Sequence, residues 1–416
     1  MIPKFTVILQ KQPDLTVTDI PCEVRKALST VNLQDKVKPG MRVAITAGSR
    51  GIYKIPLILK TVCDEVRALG GDPFLVPTMG SHGGATAQGQ VTMLQELGIT
   101  EQSVGAPIFA TMEVVEIGST ASGMPVYLDA YAAKADGIIV VGRVKPHTDF
   151  RSTIESGLHK MIAIGLGKHE QALAIHKCGM RGLREFMPQV AQVTLKKAPI
   201  LCGLAVLENG YDQTAKIEAL LPEMFASREP ELLEEARLLM PRLCVDQLDV
   251  LLVGEIGKNF SGTGMDTNII GRVHIYGEPE FASPKIQYIV VLGLSKAAHG
   301  NALGIGLADF TTEKVMNEID YPAMRENVIT STTIDRGKIP MAFPNDRSAI
   351  EAAQRCLWLE NPEKARIVYI ANTLEISKMA VSESVFEEIK NNPDIEVLNS
   401  LWELSFDQIG NLKKFI

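Results

Sequence analysis

The sequence predicts an α/β fold built from two domains with mainly parallel sheets. Short apolar runs rich in β-branched residues recur along the 416 residues, and turn-forming residues bound them. Their hydrophobicity is continuous rather than alternating, which is typical of strands that are covered on both faces. Amphipathic helical patterns lie between the runs, and strands that alternate with helices favour parallel sheets.

Six apolar runs are the clearest strand candidates: residues 41–46, 73–77, 137–141, 250–253, 286–292 and 366–370. The helical pattern is clearest at residues 55–69, where apolar residues recur every three or four positions and fall on one face. These elements alternate along the chain, and this alternation is what predicts the α/β class.

A charged, leucine-rich stretch at residues 217–243 interrupts this alternation, and a fresh strand pattern begins at Leu248. We therefore expect a helical connector there. It would separate an N-terminal cofactor-binding and catalytic domain, residues 1–243, from a C-terminal α/β domain, residues 244–416, that closes over the site. A cleft between two α/β domains is a favoured ligand site, so we expect the active site in the interdomain cleft.

The composition excludes several classes of protein. A hydrophobic content of 46% excludes global disorder. The net charge of −7 provides no basic excess for phosphates, so we expect no nucleic-acid partner. No apolar run approaches the roughly 18 residues of a membrane span, and no signal-peptide pattern opens the chain. We expect a soluble, cytoplasmic protein. The six cysteines form no CxxC pair, which disfavours zinc ribbons and iron–sulfur clusters.

Five of the seven histidines fall between residues 82 and 176. His82 follows the apolar run that ends at Pro77, in a loop that contains Ser81, Gly83 and Gly84. Glycines at a strand's carboxyl end let the backbone approach a ligand, and backbone amides there can hold an oxyanion. A tight turn capped by a histidine is the purely structural alternative.

His147 follows another apolar run, in the sequence Pro146-His147. Loops at the carboxyl edge of an open α/β sheet form its active site, so His82 and His147 could face one substrate from two sides. His176 lies seven residues after His169, which is too distant on a helix for an i,i+4 metal pair. A surface histidine is the alternative for His176.

Lys160 lies in an otherwise small and apolar strip, residues 156–167. A desolvated lysine can act as a nucleophile or carry a covalent cofactor, and a side chain that reaches solvent is the alternative. Arg50 ends the first clear strand pattern, where a guanidinium suits bidentate binding of a substrate carboxylate.

The order and spacing of these motifs resemble the nickel-dependent lactate racemase family over about residues 42–180. That family has an arginine loop, a Gly-Ser/Thr-His loop, a Pro-His loop, a glycine-rich strip with a lysine, and a histidine sixteen residues beyond that lysine. The same order occurs here, and Lys160 and His176 are sixteen residues apart.

The resemblance implies a covalently attached nickel-pincer nucleotide, the nickel complex of pyridinium-3,5-bisthiocarboxylic acid mononucleotide. Lys160 would carry it, His176 would bind nickel, and the amides near Ser81, Gly83 and Gly84 would lie beside it. His82 and His147 would be the alternating acid and base, and Arg50 would hold the substrate carboxylate. The implied activity is that of an isomerase, a racemase or epimerase of a small anionic 2-hydroxy acid. It would use hydride transfer through a 2-keto acid, and cofactor-biosynthesis proteins would be partners.

The sequence departs from the family at three places. Ala47 stands where the family often has an acidic residue. The interval from the Pro-His loop to Lys160 is thirteen residues and contains Arg151. The second-domain motif is replaced by a polar glycine-rich segment in which Lys258 or Arg272 could supply a cation. We therefore expect a substrate that is larger or more polar than lactate, with Lys145 or Arg151 adding to the positive pocket of Arg50.

Two other functions fit the same residues. One is a metal-dependent lyase or hydrolase that binds an ordinary divalent ion through His82, His147 and His176. The other is a non-catalytic nickel or cofactor carrier, for which neither His82 nor His147 would be needed as a base.

Overall fold

The computed structural model describes residues 2–413, and the chain divides into two compact units. The N-terminal unit comprises Pro13–His147 and Arg151–Met240. The C-terminal unit comprises the residues up to Gln12, the short segment Thr148–Phe150, and the chain from Pro241 onward. The units thus divide after Met240, close to the boundary expected near residue 243, and the first twelve residues join the C-terminal unit.

The strands are β1 (Phe5–Gln10), β2 (Arg42–Ala47), β3 (Asp72–Pro77), β4 (Val114–Ser119), β5 (Pro125–Asp129), β6 (Gly137–Arg143), β7 (Ile200–Glu208), β8 (Thr214–Leu220), β9 (Gln247–Val253), β10 (Lys285–Val291), β11 (Phe310–Thr312), β12 (Met341–Phe343), β13 (Ile367–Ile370), β14 (Lys378–Ser382) and β15 (Ile395–Val397).

The α-helices are α1 (Ile20–Thr30), α2 (Leu33–Lys36), α3 (Ile55–Ala68), α4 (Ala87–Glu96), α5 (Glu101–Val104), α6 (Gly157–Lys160), α7 (Lys168–His176), α8 (Gly179–Arg181), α9 (Met187–Lys197), α10 (Phe225–Leu239), α11 (Thr267–Ile270), α12 (Glu313–Glu318), α13 (Tyr321–Ser331), α14 (Asp346–Arg355) and α15 (Glu383–Ile389). Two π-helical turns, Met161–Gly165 and Gly182–Phe186, continue α6 and α8.

The sheet of the N-terminal unit has the strand order β3-β2-β6-β7-β8. The first four strands are parallel, and β8 is antiparallel to β7. Val43 and Ile45 of β2, Leu75 of β3 and Ile139 of β6 share one buried core with α1 and α3. The apolar face of α3 packs there, which explains the helical period read from residues 55–69.

The strand order of this unit reverses between β2 and β6. The chain passes from β2 to β3 on one side, and then returns to place β6 on the other side of β2. Such a switch point leaves a crevice at the carboxyl ends of the two strands, which is the usual ligand site of open α/β sheets. The loops that carry Arg50 and His147 leave β2 and β6 at this point.

The C-terminal unit contains an eight-stranded sheet with the order β12-β11-β10-β9-β13-β14-β1-β15. Strands β12 to β13 in this order are parallel, and β14, β1 and β15 pair antiparallel. Successive residues of β9 enter opposite cores: Val250 and Leu252 pack in one, and Leu251 and Val253 in the other. Both faces are therefore covered. Because β1 pairs with β14, the start of the chain lies in the sheet of the C-terminal unit.

The α/β class with mainly parallel sheets is confirmed, and all six strand candidates are strands. The helical connector expected at residues 217–243 is wrong at its start, because Ile217–Leu220 belong to β8 and pair with β7. The helix α10 begins only at Phe225. Among residues 2–413, no helix combines the length and apolarity that a membrane crossing requires.

Candidate active site

A helical segment from Gly157 to His176 lies against the carboxyl ends of the N-terminal unit's strands, and glycines make this approach possible. A Cβ atom on Gly142, in β6, would lie 3.0 Å from Cγ of Met161. A Cβ on Gly165 would lie 3.0 Å from the carbonyl oxygen of Thr78, just past β3. Small residues in the strip around Lys160 therefore serve close packing against the sheet edge.

Lys160 is the last residue of α6 and is half-buried. Its Nζ lies 3.1 Å from Nε2 of His147, so the structure brings together two residues that the sequence places thirteen positions apart. A charged ammonium only donates, so His147 Nε2 accepts this hydrogen bond when Lys160 is protonated. The π-helical turn that follows Lys160 was not anticipated; such turns concentrate at functional sites.

A buried carboxylate supports the start of the helix that carries Lys160. Ser156 is the N-cap residue of α6, but its side chain accepts no hydrogen bond from the first turn of the helix. Glu229 of α10 instead accepts the backbone N–H of His159 at 3.1 Å and contacts the His159 ring Nδ1 at 2.5 Å. Both side chains are almost fully buried. The carboxylate thus satisfies a helix N-terminus that lacks its own cap.

The loop that carries His147 is organised by Glu155, whose side chain is fully buried. Its Oε2 accepts the backbone N–H of His147 at 2.7 Å, and its Oε1 accepts that of Ser152 at 2.8 Å. Arg237 donates to Oε1 at 2.5 Å, and Arg151 lies 3.6 Å from Oε2. Sequence reasoning missed Glu155 as a functional residue. The available signal was an acidic residue next to apolar residues at the end of a polar loop.

His82 lies in the loop after β3 and is exposed. Its Nδ1 is 2.6 Å from the hydroxyl oxygen of Ser49, the residue before Arg50. This contact joins the loops after β2 and β3. Gly80 has φ +57°, and a Cβ there would lie 3.0 Å from Ile164, so the loop rests on the segment that follows Lys160.

Three predicted cofactor contacts lie in this same loop. Ser81 is exposed, and Gly83 and Gly84 both adopt left-handed backbone conformations, with φ +66° and +64°. A short turn at Gly83–Ala85 leads into α4, where Thr86 accepts the N–H of Gly89 at 3.0 Å. The glycines are thus needed for the turn itself, because other residues rarely adopt this conformation.

Arg50 and His176 are both exposed. Arg50 lies in the loop after β2, and His176 is the last residue of α7, the helix that follows the π-helical turn. Lys145, in the His147 loop, is fixed through its backbone, since its N–H donates to the Ser156 hydroxyl at 2.8 Å and its carbonyl accepts from that hydroxyl at 2.6 Å. Arg151 donates to the His147 carbonyl at 2.9 Å.

The two cations predicted from the C-terminal half lie in the C-terminal unit. Lys258 is exposed and donates to the side chain of Asn327. Arg272 donates to Asp309 at 2.7 Å and to three backbone carbonyls, those of Leu307, Ile286 and Gln287. The guanidinium of Arg272 is thereby engaged within its own unit.

The residues that follow His147 are anchored in the C-terminal unit. Arg336 is almost fully buried and contacts Asp149 at 2.6 Å. The carbonyl of Thr148 accepts a hydrogen bond from Thr267 at 2.6 Å. These contacts hold Thr148 and Asp149 within the C-terminal unit.

Within the part of the chain that the structure describes, no three His, Cys, Asp or Glu side chains lie together as a group that could hold a metal ion. His82, His147 and His176 therefore do not form a ready-made set of three ligands.

Comparison with known proteins gives a family match and matches to solved structures. Residues 4–186 match the family described as the lactate racemase N-terminal domain. The structure of the lactate racemase apoprotein from Thermoanaerobacterium thermosaccharolyticum is similar to this chain, with a TM-score of 0.57 and 15% sequence identity. The similarity covers 89% of this chain and 99% of that chain, and at this identity it concerns the fold alone. No curated protein matches the chain.

Proposed function

Because residues 4–186 match the lactate racemase N-terminal domain, we propose that this chain is a racemase of that family and that it racemises or epimerises a 2-hydroxy acid. The observation that carries the proposal is the 3.1 Å contact between Lys160 Nζ and His147 Nε2. It places a potential cofactor-bearing amine beside a potential acid–base group at the carboxyl edge of the sheet. The loops of His82 and Arg50 leave the same edge, which supports one shared site.

We propose that Lys160 carries the nickel-pincer nucleotide. The side chains present fit this group, because a lysine amine is a nucleophile when deprotonated, and the half-buried Nζ of Lys160 lies 3.1 Å from Nε2 of His147. His176 would supply an imidazole ligand to nickel, and the loop of Ser81, Gly83 and Gly84 would contact the nucleotide. When bound, the group would supply a hydride acceptor and the remaining donor atoms for nickel.

The chain's own residues would then handle the carboxylate and the protons. Arg50 would bind the substrate carboxylate with its planar guanidinium. One histidine would take the proton of the substrate hydroxyl while the Cα hydrogen leaves as hydride, so that no carbanion forms. The substrate loses two electrons and becomes a 2-keto acid. Return of hydride to the opposite face, with a proton from the other histidine, regenerates the hydroxy acid with inverted configuration.

Two bases are needed because the hydroxyl groups of the two enantiomers point to different sides of the site. His147 and His82 are suited to the task, since a histidine exchanges protons near neutral pH. Glu155 accepts the backbone N–H of His147, and Ser49 contacts the ring of His82, so the backbone of one base and the ring of the other are held.

We propose further that the substrate is larger or more polar than lactate. Arg151 lies next to His147 and could bind a second polar group on the substrate. Lys258 is exposed and is the better candidate from the C-terminal unit, because Arg272 is already engaged with Asp309 and three carbonyls.

The test is to express the chain together with cofactor-biosynthesis proteins and measure its intact mass. We expect a covalent adduct that is absent from Lys160→Ala. The loaded protein is then incubated with a panel of chiral 2-hydroxy acids in ordinary and deuterated water. Fully active protein with an unmodified Lys160 would refute the cofactor assignment. Rapid deuterium incorporation at Cα would contradict the return of hydride to the substrate.

Single substitutions test the two bases. We expect His82→Ala and His147→Ala each to abolish net racemisation, whereas His299→Ala, at an exposed histidine of the C-terminal unit, should not. If the chain is instead a carrier, it binds the cofactor without racemising any acid, and both variants still bind it.

A further inference from the structure

Lys168 is a fully buried lysine that the proposed reaction does not use. Its Nζ lies 2.5 Å from the carbonyl oxygen of Pro77, 3.0 Å from Oε1 of Gln90 and 3.1 Å from Oδ2 of Asp129. The oxygens of Pro77 and Gln90 accept hydrogen bonds from the ammonium, and Asp129 forms an ion pair with it. Burial lowers the pKa of Lys168 and raises the pKa of Asp129, and the attraction between the two opposes both shifts.

Gln90, on α4, connects this buried ammonium to the loop of His82. Its side chain is buried, and its Nε2 donates to the carbonyl of Gly80 at 2.9 Å and lies 3.4 Å from that of His82. An amide has one oxygen and one NH₂ group. Because an ammonium can only donate, Lys168 fixes the oxygen of Gln90 toward itself, and the NH₂ group must then face the loop.

The same lysine holds the strand end from which this loop emerges. Pro77 is the last residue of β3, and its carbonyl accepts from Lys168. The segment from Pro77 to His82 is thus fixed at its start by Lys168 and at its end by Gln90. Lys168 itself has φ +54°, a conformation that non-glycine residues rarely adopt, so the surroundings must compensate for this strain.

We propose that Lys168 and Gln90 are positioning residues for His82. The buried ammonium orients the Gln90 amide, the amide holds the carbonyls of Gly80 and His82, and the His82 ring is thereby kept on Ser49. The inference rests on the proposed function only in giving His82 a catalytic role. The contacts themselves are independent of that role.

The competing explanation is that this buried network stabilises the fold and nothing else. Gln171 provides a matched control, since it is also a fully buried glutamine of the N-terminal unit. Its Oε1 accepts the N–H of Tyr127 at 2.9 Å, and its Nε2 donates to the carbonyl of Pro125 at 3.1 Å. It therefore makes the same kinds of hydrogen bond, but to β5 and not to the loop of His82.

The experiment compares Gln90→Glu with Gln171→Glu. In Gln90→Glu the carboxylate still accepts from Lys168, but it has no NH₂ group to donate to the loop. The readout is the ¹⁵N chemical shifts of the His82 imidazole in the full-length apoprotein, assigned with His82→Ala, together with kcat and KM of the cofactor-loaded enzyme. Lys168→Met and Gln90→Met repeat the test should Gln90→Glu not fold.

We expect Gln90→Glu and Lys168→Met to shift the His82 imidazole signals, because the ring loses its fixed contact with Ser49. We expect kcat to fall by about 10- to 100-fold, as displacement of a catalytic group by about 1 Å does, with a smaller change in KM. Gln171→Glu should leave the His82 signals and kcat unchanged, even if it lowers the stability of the fold. Unchanged His82 signals in the Gln90 and Lys168 variants, or equal shifts in Gln171→Glu, would overturn the proposal. The NMR comparison decides this even if the loaded protein racemises no acid.

Discussion

Replacement of Glu155 by glutamine should weaken both the N-terminal unit and the proposed acid–base function of His147. The fully buried carboxylate accepts two backbone N–H groups, at 2.7 and 2.8 Å, and binds Arg237 at 2.5 Å. Glutamine has the same shape but carries no charge. It also has only one oxygen, so its NH₂ group would point at one of the two backbone donors.

The expected loss of stability follows from these contacts. A hydrogen bond to a charged group contributes about 1.5–3 kcal/mol and a neutral one about 0.5–1.5 kcal/mol. Loss of one backbone bond and weakening of the other give about 3 kcal/mol, within the range for breaking a buried pair. Arg237 is 29% exposed and adds little, since water replaces its partner. For a unit of this size, about 3 kcal/mol lowers the melting temperature by about 6–12 °C.

The assay is thermal unfolding of the purified chain combined with the racemisation rate of the loaded enzyme. We expect a rate about 100-fold lower, because His147 loses the hydrogen bond that fixes its backbone. Glu234→Gln is the matched control: it removes an exposed partner of the same arginine, at 2.6 Å, and should cost less than about 1 kcal/mol. A Glu155→Gln protein that melts and turns over like Glu234→Gln would refute the reasoning.

Two further predictions concern the same unit. In chemical denaturation, Gly157→Ala should lower the free energy of unfolding by clearly more than Gly179→Ala. Both positions have positive φ, which costs an alanine about 1–2 kcal/mol. Only at Gly157 would the new Cβ also lie 2.1 Å from Glu229. Equal losses would contradict this. Hydrogen bonds from Arg228 lower the pKa of Glu218 below its ordinary value of 4.5, so the folded chain holds this proton less tightly than the unfolded one. The stabilisation is complete above pH 4.5 and is lost as the pH falls through the lowered pKa. Glu218→Gln should make the free energy of unfolding less dependent on pH in this acidic range. An unchanged pH dependence would exclude Glu218 as its cause.

The sequence could single out His82 and His147 as candidates because each lies in a contiguous motif beside a strand end. The apolar runs that end at Pro77 and near Val141 locate the sheet edge, and His82 and His147 follow them directly. Parallel strands bring their carboxyl ends to one edge, so sequence adjacency to a strand end predicts spatial adjacency. The contact of Lys160 with His147 is consistent with this logic.

The residues that support the site were not accessible in this way. Glu229 contacts His159 across 70 positions of sequence, and Lys168 contacts Gln90 across 78. No local sequence pattern identifies such partners. In the sequence, a buried carboxylate or ammonium cannot be distinguished from a charged residue on the exposed face of an amphipathic helix. The π-helical turn after Lys160 has no local sequence signal either, and its residues pack against Thr78 and Gly142.

The sequence by itself determined the α/β class, the main strands, and the order of the motifs that resemble the lactate racemase family, because periodicity, turn residues and short motifs are local properties. The tertiary structure decided which residues hold those motifs in place. It also decided that β1 joins the sheet of the C-terminal unit, and that Thr148–Phe150 belong to that unit although His147 does not. Strand pairing and burial of charge depend on contacts between residues far apart in sequence, and only the folded chain specifies them.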